Sequence, residues 1–403
     1  MKPLKSLISL EECKEVLFSL VQPIKRTERV PIVKAGGRVI AEDIIAPLNV
    51  PPFVRAAMDG YAVKAEDTFS AKTLNPVKLK LVDSVLPGNF SRKVLKKGEC
   101  IQIATGSPLP SGADAVVMVE DTEKEGEVIK VYKPVHPGEN VSSAGTDIQK
   151  GQKVISRREF LTPAKVGVLA SLGITQVEVF AKPEVAIISS GNEIISPGET
   201  LTEGKIYDVN SYTLFALVEE NGCRGIILPK MEDEVENITQ RIKEALSYDL
   251  VIITGGSSVG EKDLMLEALS RIGGKILFHG IAVKPGKPTL ASSVGEKIIL
   301  CMPGYPTSCL TNGYGLLVPL LRKLAHFPKK REVTLKLPIS RRVTSTLGRH
   351  QFLPVKIVNG KVVPVFKESG AITSMSEAEG YIEIPANVDL LEKGDEVEVK
   401  LFL

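Results

Sequence analysis

The sequence contains no tryptophan, and its aromatic content is only 5%. A stacking platform for single-stranded nucleic acid is therefore poorly supplied. Its five cysteines, Cys13, Cys100, Cys223, Cys301 and Cys309, form no CxxC pair. That speaks against a zinc knuckle or dithiol redox site and for reduced, buried thiols. The four histidines, His136, His279, His326 and His350, fall in no HExxH pattern. Neither sign of charge dominates: 51 Lys plus Arg against 48 Asp plus Glu leave a formal net charge of +3, so bulk charge supplies no field for a polyanion. No run approaches the roughly 20 apolar residues of a membrane span. The opening MKPLKSLISLEECKE has too short an apolar stretch for a signal peptide and turns acidic at once. A cytoplasmic protein without nucleic-acid or membrane partners is expected.

What is present is ordinary globular material: 403 residues, 43% hydrophobic and 25% charged. At roughly 150 residues per domain the length predicts two or three domains, each able to bury a core. Apolar residues near helical spacing predict a helix over Ser6–Leu20, stopped by Pro23. Short β-rich runs follow (Val77–Val82, Cys100–Ile103, Ala115–Glu120, Val128–Lys133), punctuated by Pro/Gly turns. Thr162 is an N-cap candidate for a helix over Pro163–Leu172 with Pro in its first position.

From about residue 178 the pattern changes. Apolar strands at Val185–Ile188, Gly225–Leu228, Leu250–Thr254 and Ile298–Cys301 alternate with helices at Ser211–Asn221, Asp233–Leu246, Asp263–Arg271 and Thr307–Leu324. This reads as a doubly wound α/β domain with a parallel sheet covered on both faces. Beyond the linker His326–Arg331 come strands only: Val333–Leu337, Phe352–Val358, Val362–Phe366, Tyr381–Ile384 and Glu396–Leu401. Asn359-Gly360 marks a hairpin within a small β-barrel or sandwich. The expected division is 1–45 with 146–177 as an N-terminal linker and dimerisation domain, 46–145 as a β-rich insertion, 178–327 as the α/β domain and 328–403 as the C-terminal β-barrel.

Ligands of open α/β sheets bind beyond the carboxyl ends of the strands. Ser189-Ser190-Gly191-Asn192-Glu193 follows the first strand, Gly255-Gly256-Ser257-Ser258-Val259-Gly260 the third, and Met302-Pro303-Gly304-Tyr305-Pro306-Thr307-Ser308 the fourth. Small residues let backbone N–H groups approach an anion, and two of these loops run into helix N-termini. Lys284-Pro285-Gly286-Lys287-Pro288 adds two ammonium groups on a proline-stiffened turn. A lysine about 4 Å from an oxyanion is worth roughly 4 kcal/mol at an effective dielectric near 20. The stretch is not a P-loop, because position 281 is Ile and position 288 is Pro. Gly256–Gly260 does spell a GxSxG elbow with Ser258 as nucleophile, but Asp263, the sole Asp between Ser258 and the last histidine, stands in the same turn and is badly placed to orient a distant imidazole. Glu193, Asp233 and Asp263 lie at or just past strand ends. Carboxylates beside an anion cradle are electrostatically wrong unless a divalent cation lies between, so magnesium on a phosphorylated ligand is expected.

MDGYAV at 58–63, ATGSPLPSGADAVVMVEDT at 104–122, SSGNEI at 189–194, GGSSVGEKD at 255–263, VKPGKP at 283–288 and MPGYPTS at 302–308 resemble the molybdopterin molybdenumtransferases, the MoeA and gephyrin E-domain family. The likeness covers nearly the whole chain. It implies an elongated homodimer whose α/β domain holds the pterin. The implied reaction inserts molybdate into adenylylated molybdopterin with release of AMP and dependence on magnesium. It implies an oxyanion pocket formed by Lys284, Lys287, Pro288 and Ser308, with Arg349 and Ser374 supplied by the C-terminal domain. Asp59, Thr105, Glu193, Asp233 and Asp263 are the implied functional acids and hydroxyl, with Glu193 and Asp263 on the metal and Asp59 reaching the partner subunit. Val54, Ser142-Ser143, Tyr305 and Gln351 depart from common family residues. The Tyr305 pattern resembles archaeal-type members, for which tungstate can replace molybdate. Possible transfer partners are the adenylylating enzyme and molybdo- or tungstoenzymes. The rival expectations are the preceding adenylylation step, carried by a similar α/β domain, and a scaffold that retains the pterin fold without turnover.

Overall fold

The computed structural model describes residues 7–255 and 261–402; of residues 261–263 it describes the backbone alone. The chain forms two compact units: Val30–Gly36 with Glu42–Val177, and Met1–Arg29 with Gly37–Ala41 and Glu178–Leu403.

The first of these is β-rich, as the alternating runs predict. Its six-stranded sheet runs Ala115–Met118, Gly60–Val63, Glu99–Ile103, Val77–Val85, Val128–Val131, Thr122–Glu125. Tyr61, Val63, Leu79, Cys100, Val117 and Ile129 fill one side and Ala62, Ile101, Ile103 and Val116 the other, the period-2 division of a pleated sheet. Gly60 sits where a Cβ would collide with the Val117 carbonyl, so only glycine lets the two strands close. A helix over Pro163–Ser171 is capped by the Thr162 hydroxyl, which accepts from Lys165 N–H.

The other unit is built on a second six-stranded sheet, in the order Arg224–Ile227, Glu184–Ser189, Leu250–Thr254, Lys297–Met302, Leu290–Val294, Lys275–His279. Alternate residues explain its coverage. Val185, Ile187, Leu250, Ile252, Ile298 and Leu300 enter one core, and Ala186, Ile188, Val251, Ile253, Ile299 and Cys301 the opposite one. Full burial of each aliphatic side chain contributes roughly 1.5–3 kcal/mol, which both helical layers are needed to secure. The expected parallel sheet is only partly parallel. The first four strands are, but Lys275–His279 and Leu290–Val294 are antiparallel additions. A tight turn at Gly295, with φ +58°, folds Leu290–Val294 back onto Lys297–Met302. These strands are short and carry polar residues, so apolar periodicity gives them no signal.

The N-terminal helix covers Leu10–Leu20 rather than starting at Ser6. Ser9 caps it: the Ser9 hydroxyl accepts from Glu12 N–H, and the Glu12 carboxylate accepts from Ser9 N–H. Leu10, Cys13 and Leu17 pack into the core of the α/β sheet, and Ile8 bonds to Gly280 and Ala282. The expected single helix over Thr307–Leu324 is Pro306–Asn312 and Val318–Leu324 joined by a π-helical turn at Gly313–Leu317. In the C-terminal region, Val283–Lys284, His350–Val358, Gly380–Ile384, Glu396–Leu401 and Thr334–Pro338 form a sheet, with Lys361–Pro364 paired to His350–Val358. Asn359 and Gly360 both have positive φ in its hairpin, as that dipeptide requires. A short helix at Thr373–Ser376 breaks the expected all-strand run.

Among the described residues no helix is long and apolar enough to cross a membrane. All five cysteines are buried, and loss of hydration pushes the thiols of Cys13, Cys100, Cys301 and Cys309 up to about 12, far from a reactive thiolate.

Candidate active site

Strand register decides which residues meet. Ser189 pairs with Thr254, and Thr254 with Met302, so three parallel strands end in one row. The loops after them leave the sheet at the same edge. Between Glu184–Ser189 and Leu250–Thr254 the connections turn to opposite sides, which makes this the topological switch point, where open α/β sheets form their crevice. Gly255 has φ +94°, and a Cβ there would overlap the Ser190 carbonyl. Glycine thus allows the first two loops to touch.

The crevice is a cavity of about 990 Å³. Its walls bring together ten of the expected residues: Ser189, Glu193, Gly255, Lys284, Lys287, Pro288, Pro303, Gly304, Ser308 and Arg349. Gly191 lies against Glu193: a Cβ there would meet the Glu193 carboxylate. Gly256, Ser257, Gly260 and Ser258 of the GxSxG match lie outside the described residues, as does the side chain of Asp263.

Asp233 braces the first loop from behind. Its carboxylate accepts from Ser190 Oγ at 3.2 Å and from Asn192 N–H at 3.3 Å. Lys205 and Lys230 donate to the carbonyls of Asn192 and Ile194, both at 2.7 Å. Among the described residues the Glu193 carboxylate itself makes no hydrogen bond or ion pair and stays exposed.

The cationic wall is clamped from two directions. Asn312, only 2% exposed, donates through Nδ2 to Gly286 O at 2.9 Å and to Thr289 Oγ1 at 2.7 Å. Thr289 Oγ1 in turn donates to Gly286 O at 2.9 Å, and the Lys284–Pro285 peptide bond is cis. Val283 and Lys284 form an edge strand of the C-terminal sheet, paired with His350 and Gln351. That pairing brings Arg349 to the cavity. Lys284 Nζ donates to Thr346 Oγ1 at 2.9 Å. Lys287 and Arg349 are half-buried, and among the described residues neither side chain has a hydrogen bond or ion pair. Three cations thus border one cavity, two of them with no hydrogen bond or ion pair among the described residues.

Other expected residues are placed elsewhere. Ser374 is fully buried and accepts from Lys367 N–H at 3.0 Å, while Phe366, Ser369 and Gly370 form that part of the wall. Asp59 and Thr105 belong to the β-rich unit. Gly60 pairs with Ile103, so the residues flanking those positions meet. Thr105 N–H and Oγ1 donate to Asp59 Oδ1 at 2.6 and 2.7 Å, and these bonds hold the carboxyl below its ordinary range.

Sequence reasoning missed Asn210 and Thr346. Asn210 Nδ2 ties the ends of two loops together, donating to Thr254 Oγ1 at 2.8 Å and Gly304 O at 2.7 Å. Its place at the start of a helix after Asp208 was the available signal. Thr346 lies in an irregular stretch and offered none.

Fold and crevice define a multi-domain protein built round a molybdopterin-type α/β domain, and known proteins agree. Residues 8–173 match the MoeA N-terminal region (domains I and II), 186–323 a probable molybdopterin binding domain, and 336–402 the MoeA C-terminal region (domain IV). A Methanocaldococcus jannaschii protein named for molybdopterin biosynthesis is 38% identical over 100% of both chains. The molybdopterin molybdenumtransferase of Bacillus subtilis is 32% identical, over 93% of this chain and 90% of its own. The crystal structure of a molybdopterin biosynthesis MoeA protein from Pyrococcus horikoshii superposes with a TM-score of 0.86 at 43% identity, covering 99% of this chain and 100% of that one. The chain belongs to the MoeA family of molybdopterin molybdenumtransferases.

Proposed function

We propose that this protein inserts molybdenum into molybdopterin, taking molybdate (or tungstate) as the metal source and adenylylated molybdopterin as the acceptor, with release of AMP. The observation that carries the reading is the convergence of three registered strand ends with Lys284, Lys287 and Arg349 round one cavity. Molybdate is a tetrahedral dianion. Half-buried ammonium and guanidinium groups with unused donors suit it through charge-assisted hydrogen bonds. The glycine loops, with Ser189, Ser190 and Ser308, supply small donors for the pterin and its phosphate.

In this mechanism Lys287 and Arg349 bind the oxyanion, Lys284 is held ready by Thr346, and Asp233 keeps the first loop in shape. Stabilisation of the charge on the oxyanion and the leaving phosphate is the protein's main contribution. The substrate's own dithiolene sulfurs capture the metal, an oxo ligand of the molybdate leaving as water with the two thiol protons, and water cleaves the pyrophosphate link to free AMP, so no nucleophilic side chain is required. Magnesium belongs to the proposal: the Glu193 carboxylate is a hard oxygen donor without a cation partner, and Glu193 with Asp263 would hold the ion. When bound it would neutralise phosphoryl charge. The reading includes a homodimer with Asp59 and Thr105 serving the partner's site, and the division 1–45 with 146–177, 46–145, 178–327 and 328–403.

The test is incubation with adenylylated molybdopterin, magnesium and either molybdate or tungstate, following AMP release and metal incorporation. Lys287→Ala is expected to abolish insertion while pterin affinity stays within a few-fold. Unchanged insertion in that variant, or metal incorporation without AMP release, refutes the reading. Mixed dimers of Asp59→Ala and Lys287→Ala subunits are expected to recover one working site; complete inactivity would refute the shared site.

A further inference from the structure

A second cavity shares no lining residue with the first. Phe18, Tyr314, Phe327, Tyr381 and Phe402 line a space of about 630 Å³ within the unit that holds the α/β sheet. In a chain that is only 5% aromatic, five rings round one cavity is a strong local enrichment. Three of the rings are contiguous: Tyr314 and Phe402 are 4.5 Å apart between centroids, and Tyr381 and Phe402 are 5.6 Å apart. Three cations stand over three of them. Arg322 is 5.4 Å from the Phe327 ring centre, Lys323 5.6 Å from Phe18, and Lys330 5.9 Å from Tyr314.

Charge in the lining is one-sided, with Arg322, Lys323, Lys329, Lys330, Arg331 and Lys400 against the single acid Glu332. Some of this charge is already used. Lys400 pairs with Glu332 at 3.2 Å and Glu383 at 3.0 Å, and Arg322 donates to Pro328 O and Asn221 Oδ1. Lys323 donates to Phe18 O, and Lys329, Lys330 and Arg331 keep unused donors. Lys330 gives one hydrogen bond, to Phe402 O at 2.8 Å, and an ammonium has three donors. Lys329 and Arg331 are exposed and make no hydrogen bond or ion pair among the described residues.

We propose that this cavity binds a small organic anion with an aromatic body, a carboxylate carrying an arene ring. Its volume lies in the range of small-molecule pockets, about 300–1,000 Å³. The rings receive the apolar body, and Lys330, Lys329 and Arg331 receive the carboxylate. A bound peptide strand is disfavoured by the wall's own backbone. Leu401 N–H already donates to Val333 O and Phe402 N–H to Glu379 O, while Phe18 O and Phe402 O accept from Lys323 and Lys330. These backbone groups of the wall are therefore already taken and cannot pair with an added strand.

The probe is 8-anilinonaphthalene-1-sulfonate, followed by fluorescence on the full-length protein and displaced by N-acetyl-phenylalanine or its amide. Displacement by the acid at least five-fold better than by the amide is expected. Lys330→Gln/Arg331→Gln and Phe327→Leu should each weaken probe binding about ten-fold with far-UV circular dichroism unchanged, and Lys287→Ala should leave it intact. Equal displacement by acid and amide, or unchanged binding in both cavity variants, overturns the proposal. So does loss of binding in Lys287→Ala, which would place the probe in the first cavity. Displacement by an acidic phenylalanine-containing peptide at far lower concentration than by N-acetyl-phenylalanine would overturn it in favour of a protein partner.

Discussion

Replacing Gly286 by Ala tests whether the lysine turn is held by geometry or merely tethered. Gly286 has φ +111°, a conformation that costs an L-residue on the order of 1–3 kcal/mol. The added methyl would also land on the Asn312 amide. Asn312 must then swing away and lose its bonds to Gly286 O (2.9 Å) and Thr289 Oγ1 (2.7 Å). Each buried hydrogen bond is worth about 1 kcal/mol net, and more when a partner is stranded. The sum is about 3–5 kcal/mol against the turn that carries Lys284 and Lys287. If roughly half of that is felt in the transition state, insertion falls about ten- to seventy-fold. Gly295→Ala is the internal control. Its φ is +58°, but its Cβ would meet nothing within 4 Å, so a cost of about 1 kcal/mol and near-normal insertion are expected. The assay is AMP release together with a molybdate titration on both variants. Equal activity in the two, or full activity in Gly286→Ala, would refute the clamp.

Thr346→Val removes the oxygen 2.9 Å from Lys284 Nζ at almost constant volume. A half-exposed charge-assisted bond of about 1–1.5 kcal/mol predicts a roughly ten-fold rise in the KM for molybdate, with pterin affinity unchanged. Thr346→Ser should restore it, and a Ser variant as poor as Val would contradict a positioning role. Glu383 is driven down to about 2: burial alone would raise it, but His350 at 3.3 Å and Lys400 at 3.0 Å outweigh that. Because the folded value is depressed, the associated stability is complete above pH 4.5 and is lost as pH falls towards 2. Glu383→Gln should therefore cost about 3 kcal/mol at pH 6 and almost nothing near pH 2, read from denaturation midpoints across that range. A variant that loses stability in parallel with the wild type on acidification would refute the assignment.

The α/β core was legible because its strands are apolar on both faces and its helices amphipathic, so alternation alone marks Glu184–Ser189, Leu250–Thr254 and Lys297–Met302. The loop residues followed from those strands without further information. Lys275–His279 and Leu290–Val294 were not legible, since LASSV mixes small polar residues and its pairing depends on a non-local partner. The start of the first helix was misplaced because Ser6 and Ser9 are both plausible caps. Only the reciprocal bond between Ser9 and Glu12 decides, and that is a matter of spacing to an acid three residues on. For Ser374 a motif match identifies the residue, while its burial at 0% is a matter of packing that the motif does not carry.

The lysine turn belongs to two structures at once, which is what the proposed oxyanion chemistry needs. Leu290–Val294, just beyond it, is a strand of the α/β sheet, while Val283–Lys284, just before it, is a strand of the C-terminal sheet. Asn312 joins the turn to the helix that starts beside Ser308, and Thr307 at that helix start donates to Ala371 O across the same junction at 2.8 Å. An oxyanion site made only from the α/β loops would bind its ligand through backbone groups and small hydroxyls, as glycine loops do. Adding the edge strand brings in Lys284 on a rigid backbone and sets Arg349 beside it, without a long loop to order on binding. Preorganised cations of this kind stabilise developing charge without reorganising at the moment of reaction, and that is where most electrostatic catalysis comes from. The C-terminal sheet is therefore a wall of the site rather than an appendage, and its stability and that of the cationic pocket should rise and fall together.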